Sequence, residues 1–246
     1  MVERADRAAV GTFYAPGAWS THVELGEPVA HHAAVKRLAT GDVVRLTNGD
    51  GTRAFGTIHE LTRRRLIVSV DTETTEHTAR PPHIELWAPV GDRERMLFLA
   101  EKATELGASS WRPVVYRRSR SVRPRGDGES FREKVRLRMI SALEQSGGAW
   151  LPATHAELPL DDALRTAGTM STVLLEATGT PLVSLLAGLR APIAIALGPE
   201  GGLDPDELDA FRAAGWRSAS LGGNVLRFET AGLAALAIVR AFMLEP

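Results

Sequence analysis

Residues 193–211, IAIALGPEGGLDPDELDAF, run from a short apolar segment through three glycines into an acidic helix start. Gly198, Gly201 and Gly202 let main chain come close to a ligand, because no side chain intervenes. The loop lacks GxGxxG spacing and has no Gly-Lys-Ser/Thr, so it matches neither common phosphate cradle. Pro199 brings no amide N–H, and the charge of Glu200 disfavours a phosphate. This chemistry suits a neutral or cationic ligand, such as an adenosine with a sulfonium or ammonium tail. The same glycines also serve a tight chain crossing that binds nothing. A second loop follows in residues 220–242, SLGGNVLRFETAGLAALAIVRAF. It offers Leu221 and Gly222, then Val225, Leu226 and Arg227, then Glu229. Arg227 lies just ahead of a helix that Thr230 is placed to cap. Beside two glycine loops, it is a cation able to steer an anionic or polar substrate.

The elements around these loops read as alternating strands and helices. Residues 193–197 have the length of a buried strand, and Asp204 and Pro205 read as N-cap and first helical position. Residues 84–90, 111–116, 173–175 and 218–221 are further strand candidates. Met96, Leu99, Ala100, Ala103 and Leu106 recur at helical spacing up to Gly107, and Phe131, Val135, Met139 and Leu143 mark another helix. Alternation of this kind predicts a mainly parallel sheet covered by helices, with ligands at the strand-to-helix crossings. Residues 1–75 differ. An Asn48-Gly49-Asp50-Gly51 turn joins two alternating stretches, and residues 66–70 add a strand, which predicts a small barrel-like domain. The polar stretch 71–82, DTETTEHTARPP, reads as a linker, and residues 80–246 as the second domain.

The chain has 246 residues, no cysteine and a net charge of −1. Disulfides, thiolate metal sites and a cysteine nucleophile are therefore excluded. The charged start, MVERADRAAV, has no apolar signal-peptide core, and no apolar run approaches a membrane span. Neither a membrane nor a metal is expected, and a cytoplasmic location is. The charge is uneven: residues 102–138 carry eleven basic and four acidic side chains. Such a block suits phosphates or nucleic acid, or is a solvated arginine-rich loop.

Three segments, EKATELGA (101–108), LGPEGGLDPDEL (197–208) and LGGNVLRFETA (221–231), resemble the RsmE family of SPOUT methyltransferases, with FREKVRLRMISALEQSGG (131–148) as a weaker fourth match. Residues 31–51 look like the PUA-like barrel of the same family. The resemblance implies an α/β SPOUT domain with a C-terminal trefoil knot, preceded by that barrel. It implies S-adenosylmethionine bound by Leu197, Gly198, Pro199, Glu200, Gly201 and Gly202, by Leu221, Gly222, Val225 and Leu226, and by Leu175 and Glu176 as a third wall. A branched side chain at Gly201 is then expected to meet the adenosine. It further implies a homodimer whose partner completes the site, and a uridine N3 of 16S ribosomal RNA, free or in the assembled small subunit, as the methyl acceptor. Another SPOUT RNA methyltransferase, or a silent RNA-binding homologue, is the alternative.

On this reading Arg227 stabilises the uracil anion. Glu229 anchors Arg227, assists proton removal, or simply complements the helix dipole. Arg112, Arg117, Arg118, Arg120, Arg123 and Arg125 are the candidates for holding RNA phosphates. The chain departs from the family pattern at Gly148, where an arginine is usual, and in YRRSRS, which lacks the usual acidic residue.

Overall fold

The computed structural model describes residues 9–121 and 126–244. They fall into two compact units. One takes in the chain up to Arg80 together with Leu143–Leu151; the other is Pro81–Ala142 with the chain from Pro152 onward.

The first unit contains β1 (Thr12–Tyr14), β2 (His22–Leu25), helix α1 (Glu27–Val35), β3 (Val43–Thr47), β4 (Thr52–Leu61), β5 (Leu66–Val70) and β6 (Glu76–His77). The strands form one sheet in the order β1-β3-β4-β5-β2, with β6 on β4. The expected turn is present. Asn48 Oδ1 accepts from the amides of Asp50 and Thr52, at 2.8 and 2.9 Å, and Gly49 and Gly51 take the positive φ that the turn requires. Phe13, Val44, Leu46, Ile58, Leu66 and Val68 form the core, closed by Ala30 and Ala33 of α1.

The structure departs from the sequence reading in two places. The stretch read as a linker is built into this unit. Asp71 caps a short 3-10 turn at Thr72–Thr74, and β6 pairs with β4. Both β6 residues are exposed, so main-chain pairing at this edge needs no apolar side chains. The unit is also not continuous in sequence. Glu144 accepts from the amide of Tyr14 at 2.8 Å, and the carbonyls of Gly147 and Gly148 accept from Arg53 Nη1 and Thr47 Oγ1, at 2.8 and 2.9 Å. At Gly148 a Cβ would stand 2.8 Å from Leu143 Cδ1, so the arginine usual in the family would displace that packed side chain.

The second unit contains β7 (Ile84–Pro89), α2 (Arg93–Glu105), β8 (Ser110–Val115), α3 (Glu129–Ser146) as far as Ala142, its last turn being counted with the first unit, β9 (Ala153–Thr154), β10 (Leu158–Pro159), α4 (Leu160–Thr166), β11 (Ser171–Pro181), α5 (Leu182–Leu185), β12 (Ile193–Leu197), α6 (Pro205–Ala213), β13 (Arg217–Ser220) and α7 (Phe228–Met243). The expected parallel sheet is present, in the order β10-β8-β7-β12-β11-β13, with β9 beside β8. Helices α2 and α7 pack on each other, and α7 also lies against β7 and β12. Gly232 permits the close fit: a Cβ there would lie 2.8 Å from Leu197 Cδ1. Trp87, Phe211 and Trp216 belong to a second apolar cluster, in which the Trp87 and Trp216 ring centroids are 4.7 Å apart.

Strand β11 is longer than its apolar signal. Its register with β13 shifts between Leu175 and Thr180, and a Cβ on Gly179 would meet the Ala219 amide nitrogen at 2.5 Å. The polar residues between Leu175 and Thr180 are thus a bulge. Helix α7 begins at Phe228, so Arg227 is the N-cap and Thr230 is already inside the helix. Phe228 and Glu229 are buried, and burial of these two residues outweighs the capping preference of threonine. Among the described residues no helix is long and apolar enough to cross a membrane.

Candidate functional site

The C-terminal ends of β11, β12 and β13 open on one side of the second sheet. Parallel strands leave their ligand crevice at this edge. A cleft of about 410 Å³ lies there, lined by Leu175–Ala177, Leu197–Glu200, Gly202, Leu203, Leu208, Val225–Phe228, Ala231 and Arg95. A smaller hollow of about 120 Å³ adjoins it and adds Ala219, Leu221, Gly222 and Asn224. The two share Leu175, Glu176, Ala177, Val225, Leu226 and Ala231. The fold therefore brings both glycine loops and the end of β11 around one space.

Each wall has a local cause. The bulge of β11 turns Glu176 so that its carboxylate accepts from Thr178 Oγ1 and Ser218 Oγ, both at 2.8 Å. In the first loop the Gly202 amide donates to the Pro199 carbonyl at 2.8 Å, closing a turn, and Gly202 adopts a φ of 73°. Glu207 Oε2 accepts from the Asp204 amide at 2.9 Å, which fixes the start of α6. In the second loop Val225 is 91% exposed and Leu226 is 39% exposed, leaving two apolar side chains at the lip.

Gly201 does not line the cleft. A Cβ on it would stand 3.1 Å from Arg118 Cβ and 3.2 Å from Arg118 Cδ, so the missing side chain makes room for the arginine stem and not for a ligand. Arg227 lines the cleft and is exposed, and its guanidinium has no hydrogen-bond or ion-pair partner among the described residues. Glu229 is buried behind the lining residues. Its Oε1 lies 3.9 Å from Arg95 Nε, and its Oε2 has no hydrogen-bond partner. The anchoring of Arg227 by Glu229 is therefore not what the fold builds. Arg95 is the cation beside Glu229, and it also approaches Glu200 at 3.6 Å. Nothing in the sequence around Arg95 distinguishes it from a solvated helix residue. Its role comes from Asp92, which accepts the Arg95 amide at 3.0 Å and starts α2 at the cleft.

The site carries Glu200 and Glu229 against the Arg95 guanidinium and Glu176 on the β11 wall, with Arg227 free at the lip. Lined by main chain and acid, it fits a ligand with a cationic centre better than a phosphate. Among the described residues no group of histidines and carboxylates is placed to hold a metal ion.

The arginines of the basic segment separate. Arg112 points inward: its Nε donates to Glu85 at 2.7 Å and its side chain is only 11% exposed. It is a structural partner of Glu85 and does not face outward to hold phosphates. Glu85 also accepts from Trp87 Nε1 at 2.7 Å and Ser110 Oγ at 2.9 Å, with His155 Nε2 at 3.5 Å. Burial pushes this carboxyl up, but the bonds from His155, Arg112 and Ser110 outweigh it and hold the pKa at about 2. Arg117 is 60% exposed and pairs with Asp206 at 2.7 Å, while Arg118 pairs with Asp204 at 2.7 Å. The Arg120 side chain, Arg123 and Arg125 lie outside the described residues.

Comparison with known proteins agrees with this architecture. Residues 78–240 match the RNA methyltransferase domain family, and residues 25–71 match the RNA methyltransferase PUA domain. A protein of Mycobacterium bovis named ribosomal RNA small subunit methyltransferase E is 29% identical over 238 residues, covering 91% of this chain and 87% of its own length. The crystal structure of the enzyme of that name from Neisseria gonorrhoeae, bound to S-adenosylmethionine, superposes with a TM-score of 0.83 at 25% identity, covering 94% of this chain and 97% of the other. A Legionella pneumophila methyltransferase in complex with the same cofactor gives 0.83 at 26% identity, covering 94% and 96%. With two domain families matched in order and the fold shared over 94% of its length, the chain belongs to the RNA methyltransferase family, in the RsmE group that its motifs resemble.

Proposed function

We propose that this chain methylates N3 of a uridine in 16S ribosomal RNA, using S-adenosylmethionine. The observation that carries the reading is the convergence of Leu175–Ala177, Leu197–Glu200 and Val225–Leu226 on one cleft at the strand ends, beside Glu200 and Arg95. These residues would hold the cofactor: apolar side chains and loop main chain around the adenosine, and the acidic side of the cleft toward the sulfonium. The buried, unpartnered Glu229 Oε2 adds negative potential behind that wall and fits a cationic group. When bound, S-adenosylmethionine supplies an activated methyl group.

The chain's own residues then orient the acceptor and stabilise charge. Uracil N3 holds a proton at neutral pH and must lose it before or during attack. Arg227 stands at the lip without a protein partner, so its guanidinium is available to O2 or O4 of a uracil as negative charge develops there. Glu229 acts at one remove, through Arg95. The exposed Val225 and Leu226 mark the side where a second copy would cover the cleft, so the reading includes a homodimer. Arg117, Arg120, Arg123 and Arg125 are the proposed phosphate contacts, the setting is cytoplasmic, and the family's trefoil knot belongs to the same reading.

The test is methyl transfer from labelled S-adenosylmethionine to small subunits or 16S RNA from a strain lacking the enzyme, followed by mapping of the product. N3-methyluridine at a single position supports the proposal; a ribose methyl or no transfer overturns it.

A further inference from the structure

The peptide group between Gly201 and Gly202 is held at both ends. Its N–H, on Gly202, donates to the Pro199 carbonyl at 2.8 Å. Its carbonyl, on Gly201, accepts from Arg118 Nη1 at 2.6 Å. The other arm of the same guanidinium, Nη2, meets Asp204 Oδ1 at 2.7 Å. Arg118 thus spans the loop from outside, from the Gly201 carbonyl to the first residue of the α6 cap. Its stem fills the place where a Cβ on Gly201 would stand. A peptide between two glycines has few steric restraints against rotating, because neither residue carries a Cβ. These bonds, with the neighbouring cap, specify which way it faces, and Gly202 is on the cleft side of it.

We propose that Arg118 is a positioning residue for cofactor binding, a latch that fixes the Gly201–Gly202 peptide in the orientation that shapes the cleft. Sequence places this arginine among the candidates for RNA phosphates; its geometry commits it to the loop. The planar fork matters, since one guanidinium reaches a carbonyl and a carboxylate at once, and a lysine ammonium cannot span both in the same way. The inference rests on the reading of the cleft as an S-adenosylmethionine site.

The test is calorimetric titration of S-adenosylmethionine into the full-length protein without RNA. Arg118→Ala should weaken binding about tenfold, the size of one lost charge-assisted hydrogen bond. Arg118→Lys should recover only part of the loss. Arg117→Ala removes the same charge from the same segment but leaves Gly201 untouched, and should stay within about twofold of wild type. Amide exchange at Gly202, measured without ligand, should quicken in Arg118→Ala and not in Arg117→Ala. Wild-type affinity together with unchanged Gly202 exchange in Arg118→Ala overturns the latch, as does equal weakening by Arg117→Ala. If the wild-type protein itself binds no S-adenosylmethionine, the reading of the cleft fails first, and the exchange data still report whether the peptide is latched.

Discussion

Glu229 and Arg95 join the first turns of α7 and α2, with Oε1 and Nε 3.9 Å apart. The carboxylate is nearly buried while the arginine side chain is 34% exposed. Removing the cation from a partly buried pair leaves an uncompensated charge, which costs more than a surface pair contributes. Arg95→Ala should therefore destabilise the protein by about 1–2 kcal/mol. Glu229→Gln should cost less, and the double variant should regain most of the Arg95→Ala loss. Denaturant midpoints for the four proteins form the cycle; strictly additive losses would show that the two side chains do not interact.

Arg227 separates catalysis from binding. It lines the cleft without a protein partner, so its removal leaves no buried group unsatisfied and should barely change stability. If it stabilises the developing uracil anion, Arg227→Ala should slow single-turnover methylation by roughly 10²–10³-fold, the cost typical of one lost oxyanion donor. Affinity for S-adenosylmethionine should hold, and Arg227→Lys should restore part of the rate. A wild-type rate in the alanine variant at saturating RNA and cofactor would make Arg227 a docking residue.

With Arg112 committed to Glu85 and Arg118 to the loop, phosphate contacts are left to Arg117, Arg120, Arg123 and Arg125. Each neutralised phosphate releases counterions, so the Arg117→Ala, Arg123→Ala, Arg125→Ala variant should lower the slope of log affinity against log salt by about two. Filter binding between low and moderate salt measures it, and an unchanged slope would mark the segment as solvated and idle.

The loops were legible in the sequence because their signals are local: apolar run, glycines, cap, periodic helix. The same holds for the Asn48–Gly51 turn. What was illegible depends on register and on distant partners. Glu85 pairs across β7 and β8 with Ser110, and Trp87 with Arg112, so Glu85, Ser110 and Arg112 share one face only in that register. Without the register, Arg112 looks like any other arginine of a basic block. Gly201 reads in the sequence as clearing space for a ligand, whereas a side chain there would meet Arg118, a distant residue in the chain. The bulge after Leu175 is polar and carries no apolar alternation, so the sequence shows only the first half of β11. The knot implied by the family is a matter of chain path, which periodicity does not encode.

Glu85 is held at about 2 in the folded chain, against an ordinary value of 4.5. A carboxyl with a lowered folded pKa binds fewer protons than in the unfolded chain, so its stabilisation is complete above about pH 5 and is lost as the pH falls toward 2. The difference corresponds to about 3 kcal/mol. Glu85→Gln keeps the shape but removes the charge that Arg112 and Ser110 bind, leaving Arg112 buried without its anion. It should lower the midpoint of thermal unfolding at pH 7 by several degrees and flatten the dependence of stability on pH between 5 and 2. Glu85 sits near the start of β7, at the opposite end of the sheet from the cleft, so single-turnover methylation at pH 7 and moderate temperature should be unaffected. Unfolding curves of wild type and Glu85→Gln that stay parallel from pH 7 to pH 3 would show that this network does not govern acid stability.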